Sequence, residues 1–175
     1  MSNKMMKVKT NQINKPDDVT KCLLDSLQNP EFCDIKIVGS DGGVIAASKL
    51  LLRLRSSYFH CMFSQQSNFV ECRDATIELP FTKAVLEKLV RYLYSGQLAC
   101  EDMSLPSLRE LMVLFDYVNL PNESSSVESF TRDKVNLGKF SLLDCVEALD
   151  NFPDSILETL HSIVPILERL ETIGK

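Results

Sequence analysis

Six cysteines and two histidines are the residues of this chain best suited to nucleophilic or metal chemistry, and their spacing defeats both uses. Cys22, Cys33, Cys61, Cys72, Cys100 and Cys145 are scattered and form no C-x-x-C pair. A zinc site wants closely spaced thiolates or imidazoles. The cysteines read instead as small buried apolar side chains, with redox sensing as the functional alternative, in a reducing cytosol or nucleus. His60 and Cys61 are neighbours, but adjacent side chains on a helix diverge by about 100°, so packing is expected rather than a Cys–His pair. No G-x-S-x-G nucleophile elbow is present, and Glu87 and Glu158 fall at ordinary solvated helix positions. Gly42-Gly43 has neither G-x-x-x-x-G-K-[ST] nor G-x-G-x-x-G around it, so it reads as a turn and not a phosphate cradle. No enzyme, no cofactor and no metal are expected.

The totals point the same way. A chain of 175 residues, 45% hydrophobic and 25% charged, suits one compact domain with a short appendage. That length buries a real core without disulfides or metal. A net charge of -5 argues against nucleic acid as partner, because phosphate contacts need clustered Lys and Arg. The apolar runs stop well short of the roughly 18 residues that a membrane helix takes. Met1 to Gln12 carries basic residues with no apolar stretch behind them, so no secretory signal is expected. Cytoplasmic or nuclear residence follows as an expectation. A module that binds other proteins is what remains.

The elements are legible from pattern. Residues 1–16 read as a flexible arm or an added edge strand. Asp17 or Asp18 caps a first helix that carries Val19, Leu23 and Leu27 on one face, and Asn29-Pro30 stops it. Asp34 to Val38 alternates as a half-buried strand, Ser40 to Gly43 supplies a turn, and Val44 to Ala47 returns as a hairpin arm. Ser48 caps a helix running through Arg55, and a second short helix carries Tyr58, Phe59, Met62 and Phe63. Ser64 to Arg73 reads as a loop before a strand at Ala75 to Leu79. Thr82 caps a helix whose Val85, Leu86, Leu89, Val90, Leu93 and Tyr94 form a wide apolar face, and Gly96 ends it. A short strand is expected near Gln97 to Cys100, then a helix from Ser104 or Ser107 that buries Leu108, Leu111, Met112, Leu114, Phe115 and Val118. Residues 122–132, polar and serine-rich, read as a linker. Two amphipathic helices follow, with Phe152-Pro153-Asp154 as a break and Pro165 expected to kink or divide the last.

Phe32-x-Asp34, Ala47-x-Lys49, Ser56-x-Tyr58-Phe59, Met62-Phe63, Leu93-Tyr94-Ser95-Gly96 and Asp116-Tyr117 together resemble the BTB (POZ) domain. The likeness covers residues 17–121. It implies an α+β fold, with a small β-sheet and flanking helices, followed by a short α-helical extension. One departure is that the family's usual A-H-K stands here as Ala47-Ser48-Lys49. Residues 133–175 resemble the start of the BACK helical region that often follows such a domain.

The resemblance implies a protein–protein adaptor, without catalytic residues, that pairs with itself or with another BTB protein. Such domains commonly form two-fold dimers through the first helix and a neighbouring helix. Here that interface takes in Val19, Cys22, Leu23, Leu27, Asp34, Lys49 and Leu51. Val19, Leu23 and Leu51 supply more apolar surface than one small sheet covers, although each could equally face its own core. Asp34 and Lys49 could pair as charges, or Asp34 could simply start a strand. Relatives that recruit a cullin scaffold carry a hydrophobic-x-Glu motif in the loop after the Met-Phe helix, and Phe69-Val70-Glu71 matches it. Phe69 would anchor in a pocket of the cullin N-terminal domain (cullin-three type), with Glu71 fixing orientation. Tyr117, Asn119 and Leu120 would give a second contact. An adaptor for a cullin-RING ubiquitin ligase with an unknown substrate is therefore expected. An oligomerisation module recruiting corepressors, or a decoy competing for BTB partners, is the alternative.

Overall fold

Alternation of apolar and polar side chains sets the sheet. In the computed structural model, which describes residues 16–64, 75–148 and 152–173, β1 (Ile35–Val38) pairs antiparallel with β2 (Val44–Ala47), Ile35 facing Ala47 and Ile37 facing Ile45. β3 (Thr76–Glu78) joins the other edge of β1 in parallel, with Ile77 beside Ile37. The order is β2-β1-β3. Ile35, Ile37, Ala47 and Ile77 point to one face and are buried, while Lys36, Ala46, Thr76 and Glu78 stand exposed on the other. Gly42 takes φ +74° in the hairpin turn, where a side chain would be strained.

The hairpin also starts two helices. α1 (Pro16–Ser26) and a single 3-10 turn, Pro30–Phe32, precede it; α2 (Lys49–Arg55) and α3 (Ser57–Met62) follow, then β3, α4 (Lys83–Ser95) and α5 (Leu105–Tyr117). Ser48 occupies the position before α2 but makes no side-chain cap. The first helical N–H, that of Lys49, donates instead to Asp34 Oδ1 at 2.7 Å. Thr82 likewise fails to cap α4; its N–H and hydroxyl donate to Glu110 at 2.5 and 2.8 Å. The N–H of Lys83 donates to the carboxylate of Asp41, at 3.2 and 3.1 Å from its two oxygens. The expected serine and threonine caps are thus replaced by two aspartates of the hairpin, because a carboxylate is the better acceptor at the positive end of a helix. α4 buries the six side chains its spacing predicts and ends at Gly96, φ +71°. Ser104 caps α5, accepting the Ser107 N–H at 3.4 Å.

Three expectations are corrected. Gln97 to Cys100 forms no strand; the Ala99 carbonyl accepts from the Lys88 ammonium at 2.8 Å. Residues 122–132 are no linker but lie within α6 (Pro121–Asn136). Pro121 suits the first turn, the Ser125 and Ser126 hydroxyls donate back to the Pro121 and Asn122 carbonyls at 2.9 and 2.8 Å, and Ser124, Val127, Thr131 and Val135 form a buried stripe. That stripe packs on α5, and the Ser124 hydroxyl donates to the Met112 carbonyl at 3.3 Å. Of the two outcomes expected at Pro165, a kink or a division, division does not occur: α7 (Leu142–Ala148) is followed by α8 (Asp154–Ile173), which runs through it. Its exposed position spares the buried side of α8, where Ile156, Leu160 and Val164 join the core. Tyr92 of α4 donates its hydroxyl to Glu123 of α6 at 2.5 Å, and Ser155 of α8 donates to Glu128.

Leu89 is fully buried at the centre of α4. Leu89→Ala is expected to lower unfolding free energy by about 2–5 kcal/mol, read by urea denaturation. Asp41 is held below its ordinary value of 3.8, first by the Gly43 N–H and then by the Lys83 N–H. A carboxylate depressed in the folded state stabilises above its unfolded pKa, and that contribution fades as pH falls through the folded value. The melting temperature of Asp41→Ala should therefore lie below wild type at neutral pH, with the gap narrowing below pH 3.8. A gap independent of pH would show that Asp41 acts through something other than its charge.

Candidate functional site

An aromatic row lines the end of α5. The Tyr117 ring lies 5.4 Å from Tyr58 of α3 and 5.4 Å from Phe81, centroid to centroid. Tyr58 in turn sits edge-on to Phe59 at 5.2 Å, and Phe59 stacks on Phe63 at 5.9 Å. Phe59, Phe63 and Phe81 are buried, whereas Tyr117 is 47% exposed and Val113, one turn earlier, is 48% exposed. The row therefore holds Tyr117 by its inner face and leaves the outer face free, a fit anchor for a partner.

The other two residues expected here differ. Asn119 takes φ +58°, a left-handed conformation that asparagine tolerates, and its amide donates to the Ser57 hydroxyl at 3.2 Å. It fixes the turn after α5 against α3. Leu120 is half-buried against the core. Phe69, Val70 and Glu71 lie outside the described residues.

A second exposed surface belongs to α1, α2 and the start of β1. Val19 is 51% exposed and Cys22 is exposed, as an interface role would require. Leu23, Leu27 and Leu51 are partly buried, with one side packed against the core. On α2 the outward apolar side chains are Leu50 and Leu54, 63% and 69% exposed. Their i, i+4 spacing could have singled them out, since Leu50 to Leu52 is an unbroken run in which only the helical period tells inside from outside. Phe32 is also exposed. Asp34 accepts the Lys49 main-chain N–H, and the Lys49 ammonium lies 5.5 Å above the Phe63 ring. Between the end of α1 and β1 runs a groove of about 520 Å³ lined by Leu27, Pro30, Cys33, Ile35 and Ala46. Burial, and next Asp34, pushes the Cys33 thiol up, away from thiolate reactivity.

His60 and Cys61 are both exposed on α3, and Glu87 pairs with Lys83 at 3.5 Å on the open side of α4. Among the described residues no group of three or more His, Cys, Asp or Glu side chains could hold a metal ion. No helix there is long and apolar enough to cross a membrane.

Residues 23–131 match the family model of the BTB/POZ domain. The chain is 25% identical over 128 residues to Kelch repeat protein M-T9 of Myxoma virus (strain Lausanne), covering 73% of this chain and 23% of that protein. It is 27% identical over 113 residues to Kelch repeat and BTB domain-containing protein 2 of Horsepox virus, covering 63% of this chain and 19% of that protein. The chain thus spans less than a quarter of the length of these relatives. Among solved structures it is similar to the BTB domain of human gigaxonin, with TM-score 0.50 and 20% identity over 70% of this chain and 98% of that one. The BTB domain of zebrafish PATZ1 gives TM-score 0.51 and 18% identity over 73% and 98%. With the hairpin, the parallel third strand and the clasping helices, these matches establish that the chain belongs to the BTB/POZ family of protein-interaction modules.

Proposed function

We propose that this protein is a dimerising adaptor that recruits a cullin N-terminal domain, of the cullin-three type, into a cullin-RING ubiquitin ligase. The observation that carries the reading is Tyr117, half-exposed and braced by Tyr58 and Phe81. An aromatic held rigid on one side loses little conformational entropy when a partner covers the other. Phe69 supplies the deeper anchor and Glu71 the orientation. In this reading ubiquitin transfer belongs to other subunits. Residues 133–175, read as the start of a BACK region, extend the surface that α5 begins. Dimer contacts come from Val19 and Cys22 of α1 and from Leu50 and Leu54 of α2. Residence is cytoplasmic or nuclear, where cullin scaffolds operate.

Calorimetric titration with the cullin domain tests the adaptor reading. Tyr117→Ala and Phe69→Ala are each expected to weaken binding at least about tenfold, or 1.4 kcal/mol. A folded dimer that binds no cullin domain would sink this reading in favour of a corepressor-recruiting module or a decoy for BTB partners. Self-association is tested separately by light scattering. Leu50→Asp combined with Leu54→Asp should give a folded monomer, because both side chains already face water. A double variant that remains dimeric would remove α2 from the interface.

A further inference from the structure

The corner where α5 turns into α6 has no residue to spare. Asn119 and Leu120 close α5 with the two main-chain bonds of a left-handed cap. The Asn119 N–H donates to the Asp116 carbonyl at 3.0 Å, and the Leu120 N–H to the Phe115 carbonyl at 2.8 Å. Leu120 is also the residue before α6, and its carbonyl already accepts the Ser124 N–H at 3.1 Å. A leucine side chain offers no capping acceptor, and none is made there. The direction in which α6 leaves the corner is therefore set by what holds its first turn. One hold is the Ser124 hydroxyl on the Met112 carbonyl of α5. The other comes from α4, where Tyr92 donates its hydroxyl to Glu123 at 2.5 Å. The Tyr92 ring also stands edge-on to Phe115, with centroids 5.7 Å apart. One side chain thus touches both the residue whose carbonyl closes α5 and the first turn of α6. Burial first, and then the bond to Glu123, push the Tyr92 hydroxyl up to about 12, with Arg55 pulling the other way. It therefore keeps its proton, and donates it, at any ordinary pH.

We propose that Tyr92 is a positioning residue for the surface around Tyr117: by holding Glu123 it fixes the corner at residues 118–121 and, with it, the last turn of α5. The consequence for a partner rests on the adaptor reading, in which Tyr117 is the anchor on that turn. Asn119 ties the same corner to Ser57 of α3, so the corner is pinned to two helices besides its own. Tyr92 acts through Glu123 and Phe115, and its hydroxyl is committed to Glu123, not offered to a partner.

The test uses the full chain. Tyr92→Phe keeps the ring on Phe115 and removes only the hydroxyl; Glu123→Gln keeps an oxygen acceptor, and Glu123→Leu removes it. In Tyr92→Phe the Leu120 and Ser124 amides should exchange roughly tenfold faster, with the amides inside α4 unchanged. Glu123→Leu should match that result and Glu123→Gln should stay at wild type. Combining Tyr92→Phe with Glu123→Leu should add nothing further, because both remove one bond. Calorimetry with the cullin N-terminal domain should show Tyr92→Phe binding at least about threefold more weakly. Unchanged exchange at Leu120 and Ser124 overturns the proposal. So does an equal rise throughout the chain, which marks a hydroxyl that only stabilises the fold. Binding at wild-type strength while the corner loosens overturns it as well. A wild-type chain that binds no cullin domain sinks the adaptor reading instead, and the exchange alone then decides whether Tyr92 sets the corner.

Discussion

Two aspartates at the two ends of one short strand govern this architecture. Asp34 opens β1 and Asp41 sits in the turn that closes it, and each places its carboxylate on the first N–H of a helix from another part of the chain. The hairpin register therefore sets where α2 and α4 begin. A slip of one residue would turn Ile35 and Ile37 toward water and uncap both helices together, so errors of register are penalised at three places. Because α3 follows α2 after the single residue Ser56, the position of Tyr58, and through it the brace on Tyr117, descends from Asp34.

The exposed surfaces share a logic. At the end of α5 and along α2 the apolar side chains that face outward stand on elements whose inner sides are fully packed. Tyr117 rests on Tyr58 and Phe81; Leu50 and Leu54 stand on a helix rooted by the buried Leu52. A partner meets side chains already ordered, and the cost of ordering them falls on folding, not on association. Family membership and this arrangement agree on a module built to be gripped.

Much of this was legible in the sequence where the signal is local. The alternation of β1, the six-residue stripe of α4 and the left-handed Gly96 all follow from neighbours within a turn or two. The caps were not legible: Ser48 and Thr82 have the right chemistry in the right place, but acceptors 15 and 42 residues upstream displace them. Residues 122–132 misled for a related reason. Consecutive serines suggest a linker, and only the docking face of α5 turns Ser124, Val127, Thr131 and Val135 into a helical stripe. Of the expected interface residues, Val19 and Cys22 are exposed, and Leu23, Leu27 and Leu51 are partly buried, with one side against the core. An unbroken leucine run reveals its inner side only once the helix has a neighbour.

The character of α6 has a consequence for the order in which the molecule is made. Serines that bond back to the preceding turn slightly weaken a helix, and α6 brings only Val127 and Val135 as buried apolar side chains of its own. Its helicity is therefore borrowed from α5, as most short helices borrow theirs from tertiary contacts. During synthesis α5 emerges first, and the serine segment winds up on a template already in place. α8, packed on α6 and tied to it through Ser155 and Glu128, waits in turn for α6. The C-terminal helices thus lean on α5, and a defect in the face of α5 that α6 covers would loosen α6 and, through it, α8.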